Sequence, residues 1–152
     1  LKDFPLPLYN GDDEQATGVP AAAAAFRKRI DASQGVFMAC PEYNSGYTPL
    51  LKNALDWASR VKNEKGQMTP VFGGKVVALG AVSGGARGGY RGLTQIRSMI
   101  ELGMGAFVIP EMVSVPNAAT GFAPDGSLTD ATSAAMLDAL VARLVKEAGR
   151  SA

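Results

Sequence analysis

Apolar and polar residues follow one another along this chain in blocks that predict alternating strands and helices. Three short apolar runs, at residues 35–40, 74–82 and 106–115, lack the polar alternation of a half-exposed strand. Such continuous runs are typical of strands that are buried on both faces. Pro110 interrupts the third run. Helical segments surround the three runs, so the pattern predicts the order α, β, α, β, α, β, α.

Four segments carry the signals of helices. Residues 20–30 begin with a proline and continue with five alanines, the best helix former. Residues 49–61 follow Thr48, a predicted N-cap, and residues 93–103 end at a glycine. The last predicted helix, residues 129–148, is amphipathic, and the apolar face that we expect to meet the core consists of Ala135, Met136, Ala139, Leu140, Leu144 and Val145.

Strands that alternate with helices at this spacing require parallel pairing and right-handed crossovers. The sequence therefore predicts one domain, an open α/β sheet with helices on both faces, preceded by a connecting segment at residues 1–20 that is rich in Pro, Gly and Asp. Ligands of such sheets bind beyond the carboxyl ends of the strands. Two unusual loops, at residues 41–48 and 83–92, are predicted to lie at that edge.

Composition excludes several kinds of function. The chain has 15 Lys and Arg against 14 Asp and Glu and no basic block, which argues against nucleic-acid and membrane-surface partners. The absence of histidine excludes Ser-His-Asp and Cys-His catalysis and disfavours a transition-metal site, so we expect no bound metal. A single cysteine, Cys40, excludes an internal disulfide and suits the cytoplasm; we expect it to be a buried apolar residue. No apolar run approaches the roughly 18 residues of a membrane-spanning helix.

The loop at residues 41–48 has the chemistry to hold a flat heterocycle with polar edges. Pro41 fixes the direction of the chain as it leaves the strand, and Asn44 and Gly46 permit unusual backbone angles. Tyr43 and Tyr47 offer flat apolar faces with polar tips.

The loop at residues 83–92 contains five glycines among ten residues, so its backbone N–H groups can approach a ligand closely. Ser83 can donate a hydrogen bond, and Arg87 or Arg91 can offset negative charge. The glycine spacing is neither a dinucleotide fingerprint nor a Walker-type phosphate loop. Taken alone, the loop is equally well explained as a flexible connection. Together the two loops predict an aromatic, partly anionic cofactor.

Other residues near these loops have simpler structural explanations. We expect Trp57 to pack in the core or against a partner subunit, and Asp56 and Arg60 to form an ion pair on the helix surface. The polar residues 52–53 are expected to be solvated, with ligand contact as the alternative. Glu42 could accept backbone hydrogen bonds and so lock its turn.

Three motifs together carry a resemblance to a known family: PEYN at residues 41–44, LKNALDW at residues 51–57 and SGGARGG at residues 83–89. They resemble the NADPH-dependent FMN reductase family, a flavodoxin-like group that includes quinone, azo-dye and chromate reductases. The PEYN and LKNALDW segments are the specific part. The resemblance extends loosely from Leu6 to about Asn117.

This resemblance implies a flavodoxin-like fold and a noncovalently bound FMN. The family reaction is hydride transfer from NADPH or NADH through FMN to a quinone, an azo compound, a metal oxyanion or free flavin. No acid–base side chain is required for this step, since the flavin carries the chemistry. The family also implies a homodimer or homotetramer. The cofactor-binding residues that the resemblance implies are Pro41, Glu42, Tyr43 and Asn44 under the ring, and Ser83, Gly84 and Gly85 at its other edge.

The family pattern begins with a strand and a Gly-Ser-x-Arg-like loop that holds the FMN phosphate, and no equivalent segment occurs in residues 1–152. We therefore expect these residues to be the larger part of a single flavodoxin-like flavin-binding domain in a longer protein, with the N-terminal strand outside this chain. The alternative function is a flavodoxin-like domain without catalysis or tight FMN binding, which serves in oligomerisation or interaction.

Overall fold

The computed structural model describes residues 1–150, which form five helices and five strands. The helices are α1 (Gly11–Thr17), α2 (Ala21–Asp31), α3 (Pro49–Arg60), α4 (Tyr90–Met104) and α5 (Ala131–Ala148). The strands are β1 (Gly35–Ala39), β2 (Glu42–Tyr43), β3 (Gly46–Tyr47), β4 (Val76–Val82) and β5 (Phe107–Val115). No helix in this described range is both long enough and apolar enough to cross a membrane.

Three strands form a parallel sheet in the order β1-β4-β5, with helices on both faces, so the predicted open α/β sheet is confirmed. Successive residues of β4 point to opposite faces and enter two separate cores. Val77 and Leu79 pack with residues of α2, α3 and α4, whereas Val76 and Ala78 pack with residues of α5. One face of the sheet therefore carries three helices, and the other carries α5.

Pro110 does not end the third strand, although it interrupts the apolar run. β5 is an edge strand, and its register against β4 shifts between Val77 and Leu79, opposite the proline. A bulge at an edge is where a residue without an N–H group costs no ladder hydrogen bond. The guanidinium of Arg97 in α4 lies beside this bulge and donates to the carbonyl oxygens of residues 108, 109 and 110 at 3.1, 3.0 and 3.3 Å.

The predicted connecting segment at residues 1–20 contains the short helix α1, whose N-cap Asn10 accepts a hydrogen bond from Asp12 N–H. The segment is fastened to α3. The indole Nε1 of Trp57 donates to the carbonyl oxygen of Pro7 at 2.8 Å, and Asn53 Nδ2 donates to the same oxygen at 2.8 Å. Trp57 is 1% exposed, so it serves packing within the chain.

The predicted ion pair between Asp56 and Arg60 is wrong. Asp56 pairs with Lys52 one turn earlier in α3 at 2.6 Å, and Arg60 pairs with Glu14 of α1 at 2.9 Å. The helical spacing of four residues allowed either pairing, and the docking of α1 decided between them. Lys52, expected to be solvated, is half-exposed and held in this pair.

Helix boundaries and faces differ from prediction at two places. α4 begins at Tyr90, three residues earlier than predicted, and ends at Met104 with Gly105 in a left-handed conformation. In α5, the predicted core face is only partly buried: Leu140 and Leu144 are buried, but Met136 is 49% and Val145 67% exposed. The helix therefore presents more apolar surface than the sheet covers.

Candidate functional site

The first loop is a two-strand hairpin that leaves the carboxyl end of β1. Glu42 pairs with Tyr47 and Tyr43 pairs with Gly46, and Asn44 and Ser45 occupy the turn with φ angles of +49° and +69°. Positive φ at both central residues is the two-residue hairpin turn whose twist matches that of the strands. The expectation of unusual angles holds for Asn44, but the second such residue is Ser45 and not Gly46.

The carboxylate of Glu42 joins the hairpin to the first turn of α4, which directly follows the second loop. It accepts hydrogen bonds from the guanidinium of Arg91 at 2.6 Å and from Gly92 N–H at 3.1 Å, and its side chain is 6% exposed. The hydrogen bond from Arg91 is the main reason that the pKa of Glu42 is lowered, and the Gly92 N–H acts in the same direction. Glu42 was predicted to accept backbone hydrogen bonds that lock its own turn; the backbone hydrogen bond that it accepts comes instead from Gly92 of α4 and fixes the hairpin against that helix.

A further hydrogen bond fixes the tip of the hairpin. Gln95 of α4 donates from Nε2 to the carbonyl oxygen of Ser45 at 2.7 Å. Sequence analysis did not identify Gln95, and nothing in its neighbourhood signals this contact, since 50 residues separate the two partners. The hairpin is therefore held at its base by Glu42 and at its turn by Gln95.

The second loop, residues 83–89, is held against the carboxyl ends of β4 and β5. Ser83 N–H donates to the Val115 carbonyl oxygen at 3.1 Å, and Ala118 N–H donates to the Ser83 carbonyl oxygen at 3.0 Å. Gly88 and Gly89 have φ angles of +58° and +89° and no room for a side chain, because a Cβ atom at Gly88 would lie 2.7 Å from the backbone of Val115. These two glycines thus allow the backbone of the loop to lie close to the end of β5 in one defined conformation. The loop is therefore not merely a flexible connection.

The structure brings some of the predicted site residues together and leaves others apart. Glu42, Ser83, Gly84 and Gly85 line one polar cavity of about 370 Å³ with Ala86, Arg87 and Arg91. Pro41 lines a larger apolar cavity of about 440 Å³ on the α5 side of the sheet. Tyr43 and Asn44 lie at the end of the hairpin, where the Tyr43 side chain is 62% exposed.

Several polar groups around these loops have no partner within the described residues. Neither the Asn44 carboxamide nor the Tyr43 hydroxyl forms a hydrogen bond, and the backbone N–H groups of Gly84, Ala86 and Arg87 are also free. The hydroxyl oxygen of Ser83 accepts a hydrogen bond from Gly85 N–H at 3.3 Å. The candidate site therefore presents one exposed aromatic ring and several hydrogen-bonding groups without partners in the described residues.

Cys40 is buried, as predicted, and takes no part in this exposed surface. Burial raises the pKa of its thiol to about 11. The thiol is therefore protonated at neutral pH, and a nucleophilic role, which needs the thiolate, is disfavoured.

The amino-acid sequence of this chain is similar to those of bacterial reductases. It is 36% identical over 126 residues to an NAD(P)H-dependent FMN reductase of Pseudomonas aeruginosa, a match that covers 82% of this chain and 64% of the relative. It is also 36% identical over 128 residues to a quinone reductase of Pseudomonas putida, covering 84% of this chain and 65% of that protein. The chain thus spans less than two thirds of the length of these relatives.

A solved structure shows the same fold. The flavoenzyme NAD(P)H:(acceptor) oxidoreductase FerB of Paracoccus denitrificans superposes with a TM-score of 0.76 at 29% sequence identity, over 96% of this chain and 76% of FerB. The predicted flavodoxin-like architecture is confirmed by this likeness.

The family model for NADPH-dependent FMN reductases matches residues 1–120, and this range includes both loops of the candidate site. The expected family is confirmed: this chain belongs to the NADPH-dependent FMN reductase family.

Proposed function

We propose that this chain is the flavin-ring-binding part of an FMN-dependent oxidoreductase that uses NADPH or NADH as its electron donor. Its acceptor would be a quinone, an azo compound, a metal oxyanion or free flavin. One observation supports this most strongly: the PEYN hairpin and the glycine-rich loop lie side by side at the carboxyl ends of adjacent strands, joined by Glu42. This is the edge at which open α/β sheets bind ligands.

The residues at this edge fit a flat group with polar edges, such as the ring of FMN. The exposed Tyr43 ring and Pro41 would provide apolar contact, and the Asn44 carboxamide and the free N–H groups near Ser83, Gly84 and Gly85 would bind polar ring atoms. When bound, FMN supplies the hydride chemistry, by which two electrons pass from NAD(P)H to the acceptor.

The residues of this chain would contribute position and electrostatics. The Glu42–Arg91 pair and the Gln95 bond hold the hairpin in one place before a ligand arrives, so less entropy is lost on binding. Because Glu42 already binds Arg91 and Gly92, its contribution to the cofactor would be to place the backbone of residues 41–44. We propose no acid–base role for a side chain.

The setting of this activity is also a proposal. Residues 1–152 would be the larger part of a single flavodoxin-like flavin-binding domain of a cytoplasmic enzyme that assembles as a homodimer or homotetramer. The alternative of an interaction module that docks through the Trp57 helix and neighbouring loops loses Trp57 as a contact, since this residue is 1% exposed and bonded to Pro7.

The proposed activity can be tested by following NADPH oxidation without oxygen, with added FMN and a benzoquinone as acceptor. We expect the chain to increase the rate above that of free FMN with the same reagents. Tyr43→Val should lower this protein-dependent rate by about tenfold, as expected if about 1.4 kcal/mol of ring contact is lost.

Phe107→Val is the matched control. Phe107 is also exposed (57%), but it is the first residue of β5 and so lies at the amino ends of the strands, away from the site at their carboxyl ends. A rate equal to that of free FMN would contradict the proposed function. Equal losses in the two variants would contradict the proposed site.

A further inference from the structure

The polar cavity beside the hairpin contains a positive charge that no acidic group offsets. Three of the side chains that line it are charged, namely those of Glu42, Arg87 and Arg91. Arg91 donates to the Glu42 carboxylate at 2.6 Å, so these two charges offset one another. The guanidinium of Arg87 forms no hydrogen bond or ion pair within residues 1–150. In the described part of the chain, the cavity therefore has a net charge that comes from Arg87.

The second loop adds hydrogen-bond donors to this charge. The backbone N–H groups of Gly84, Ala86 and Arg87, which all line the cavity, have no acceptor in the described residues. The Ser83 hydroxyl accepts from Gly85 N–H and can still donate its own hydrogen. Runs of free backbone N–H groups favour negatively charged ligand atoms. The cavity of about 370 Å³ is therefore suited to a ligand edge that carries negative charge.

The ring of FMN acquires such an edge when it is reduced. Two electrons and one proton, which together make up one hydride ion, convert the neutral oxidised ring into a reduced ring with a negative charge on its pyrimidine side. Under the proposed function, the polar atoms of the ring lie against Ser83, Gly84 and Gly85, and these residues also line the cavity. A positive charge in that cavity stabilises the reduced ring more than the oxidised ring.

We propose that Arg87 tunes the bound flavin by stabilising its anionic reduced form, and that it thereby raises the reduction potential of the cofactor. This inference rests on the proposed function and adds a residue outside the predicted cofactor-binding set. Arg87 would act through its charge alone. The hydride from NAD(P)H supplies both electrons and the proton, so the reduction needs no proton from a side chain.

The main alternative for Arg87 is a contact with the phosphate group of FMN. That phosphate has the same charge whether the ring is oxidised or reduced. An arginine bound to it would therefore strengthen the binding of both forms equally and would leave the reduction potential unchanged. The two roles thus predict different measurements.

The inference can be tested by measuring the reduction potential of FMN bound to the chain, in an anaerobic titration with a reference dye that is followed by absorbance. Arg87→Gln should lower the preference for reduced over oxidised FMN by about tenfold, or about 30 mV for a two-electron couple. The Kd for oxidised FMN should change by less than about twofold, because the oxidised ring is neutral. Arg87→Lys keeps the charge and should stay within about twofold of the wild-type preference.

Arg29→Gln is the matched control. It removes the same formal charge from an exposed position in the last turn of α2, which precedes β1 and so lies at the amino ends of the strands. We expect the wild-type potential for this variant. Equal shifts in Arg87→Gln and Arg29→Gln would overturn the inference, since net charge would then explain both.

Two further outcomes separate this inference from the proposed function. Equal potentials for wild type and Arg87→Gln, with FMN bound to both, would overturn the inference and leave the proposed function standing. A wild-type chain that binds no FMN would contradict the proposed function, and the inference would fail with it.

Discussion

Glu42 is the residue on which the geometry of the candidate site depends most. It belongs to the PEYN motif, yet its carboxylate is directed into the protein, where it binds Arg91 and Gly92 of the neighbouring segment. A motif residue can thus serve a ligand site indirectly, by fixing the loop that carries its neighbours. Tyr43 and Asn44, which follow it, are left with free polar groups.

The lowered pKa of Glu42 predicts a pH dependence of stability. A carboxyl group whose pKa is lower in the folded state contributes stability above its unfolded pKa, and this contribution is lost as the pH falls through the folded value. Glu42→Gln removes the contribution at every pH. The difference in free energy of unfolding between wild type and variant should therefore be largest near neutral pH and shrink as the pH falls below the ordinary value of 4.5. Denaturant unfolding at a series of pH values measures it.

Glu101→Gln is the matched control, because Glu101 also pairs with an arginine of α4, Arg97 at 3.2 Å, but is more exposed and far from the hairpin. We expect a smaller difference near neutral pH for this variant. A Glu42→Gln difference that grows towards acid pH would show that the sign of the argument is wrong.

At the level of helices and strands, Arg97 shows how α4 supports an irregular strand. Its guanidinium binds three successive carbonyl groups at the Pro110 bulge of β5. These carbonyl groups lie where the register with β4 shifts, so the regular ladder does not satisfy all of them. The arginine therefore allows a proline inside a nine-residue strand.

Arg97→Gln should destabilise the protein by about 1.5–3 kcal/mol, the range for hydrogen bonds that involve a charged group. Denaturant unfolding measures this change. Arg150→Gln removes a more exposed arginine, which pairs with Glu147 within residues 1–150, and should change stability by less than about 0.5 kcal/mol. Similar values for the two variants would contradict the role of Arg97 at the bulge.

The elements could be predicted from the sequence where local patterns decide them. The three strands and the helix begun by Thr48 and Pro49 follow from apolar runs and capping chemistry, and the structure has them at nearly the expected bounds. Burial on both faces was predicted for all three strands, but it holds along nearly the whole length of β4 and is wrong for β1 and β5, which are edge strands. The bulge at Pro110 and the hairpin turn at Asn44 and Ser45 could not be predicted. They depend on Arg97 and Gln95, which are distant in sequence and lie beside them only after α4 has docked.

At the scale of the whole molecule, the fold explains why the two loops form one site. Parallel pairing of β1 with β4 places their carboxyl ends side by side, and the loops that follow are then joined through Glu42. The motifs predicted which two loops form the candidate site, because both loops follow a predicted strand and carry the family resemblance. They could not predict that Pro41 lines a different cavity from Glu42, because strand ends open onto both faces of the sheet.

The central claim is that the PEYN hairpin of this chain holds a flavin ring, and a titration of the chain with FMN, followed by flavin fluorescence, tests it most directly. We predict saturable quenching and a Kd that rises by about tenfold in Asn44→Gly, since glycine keeps the positive-φ turn but removes the free carboxamide. Gln15→Ala, which removes an exposed amide side chain from α1, should leave the Kd unchanged. Quenching that does not saturate, or equal Kd values for wild type and Asn44→Gly, would contradict the account.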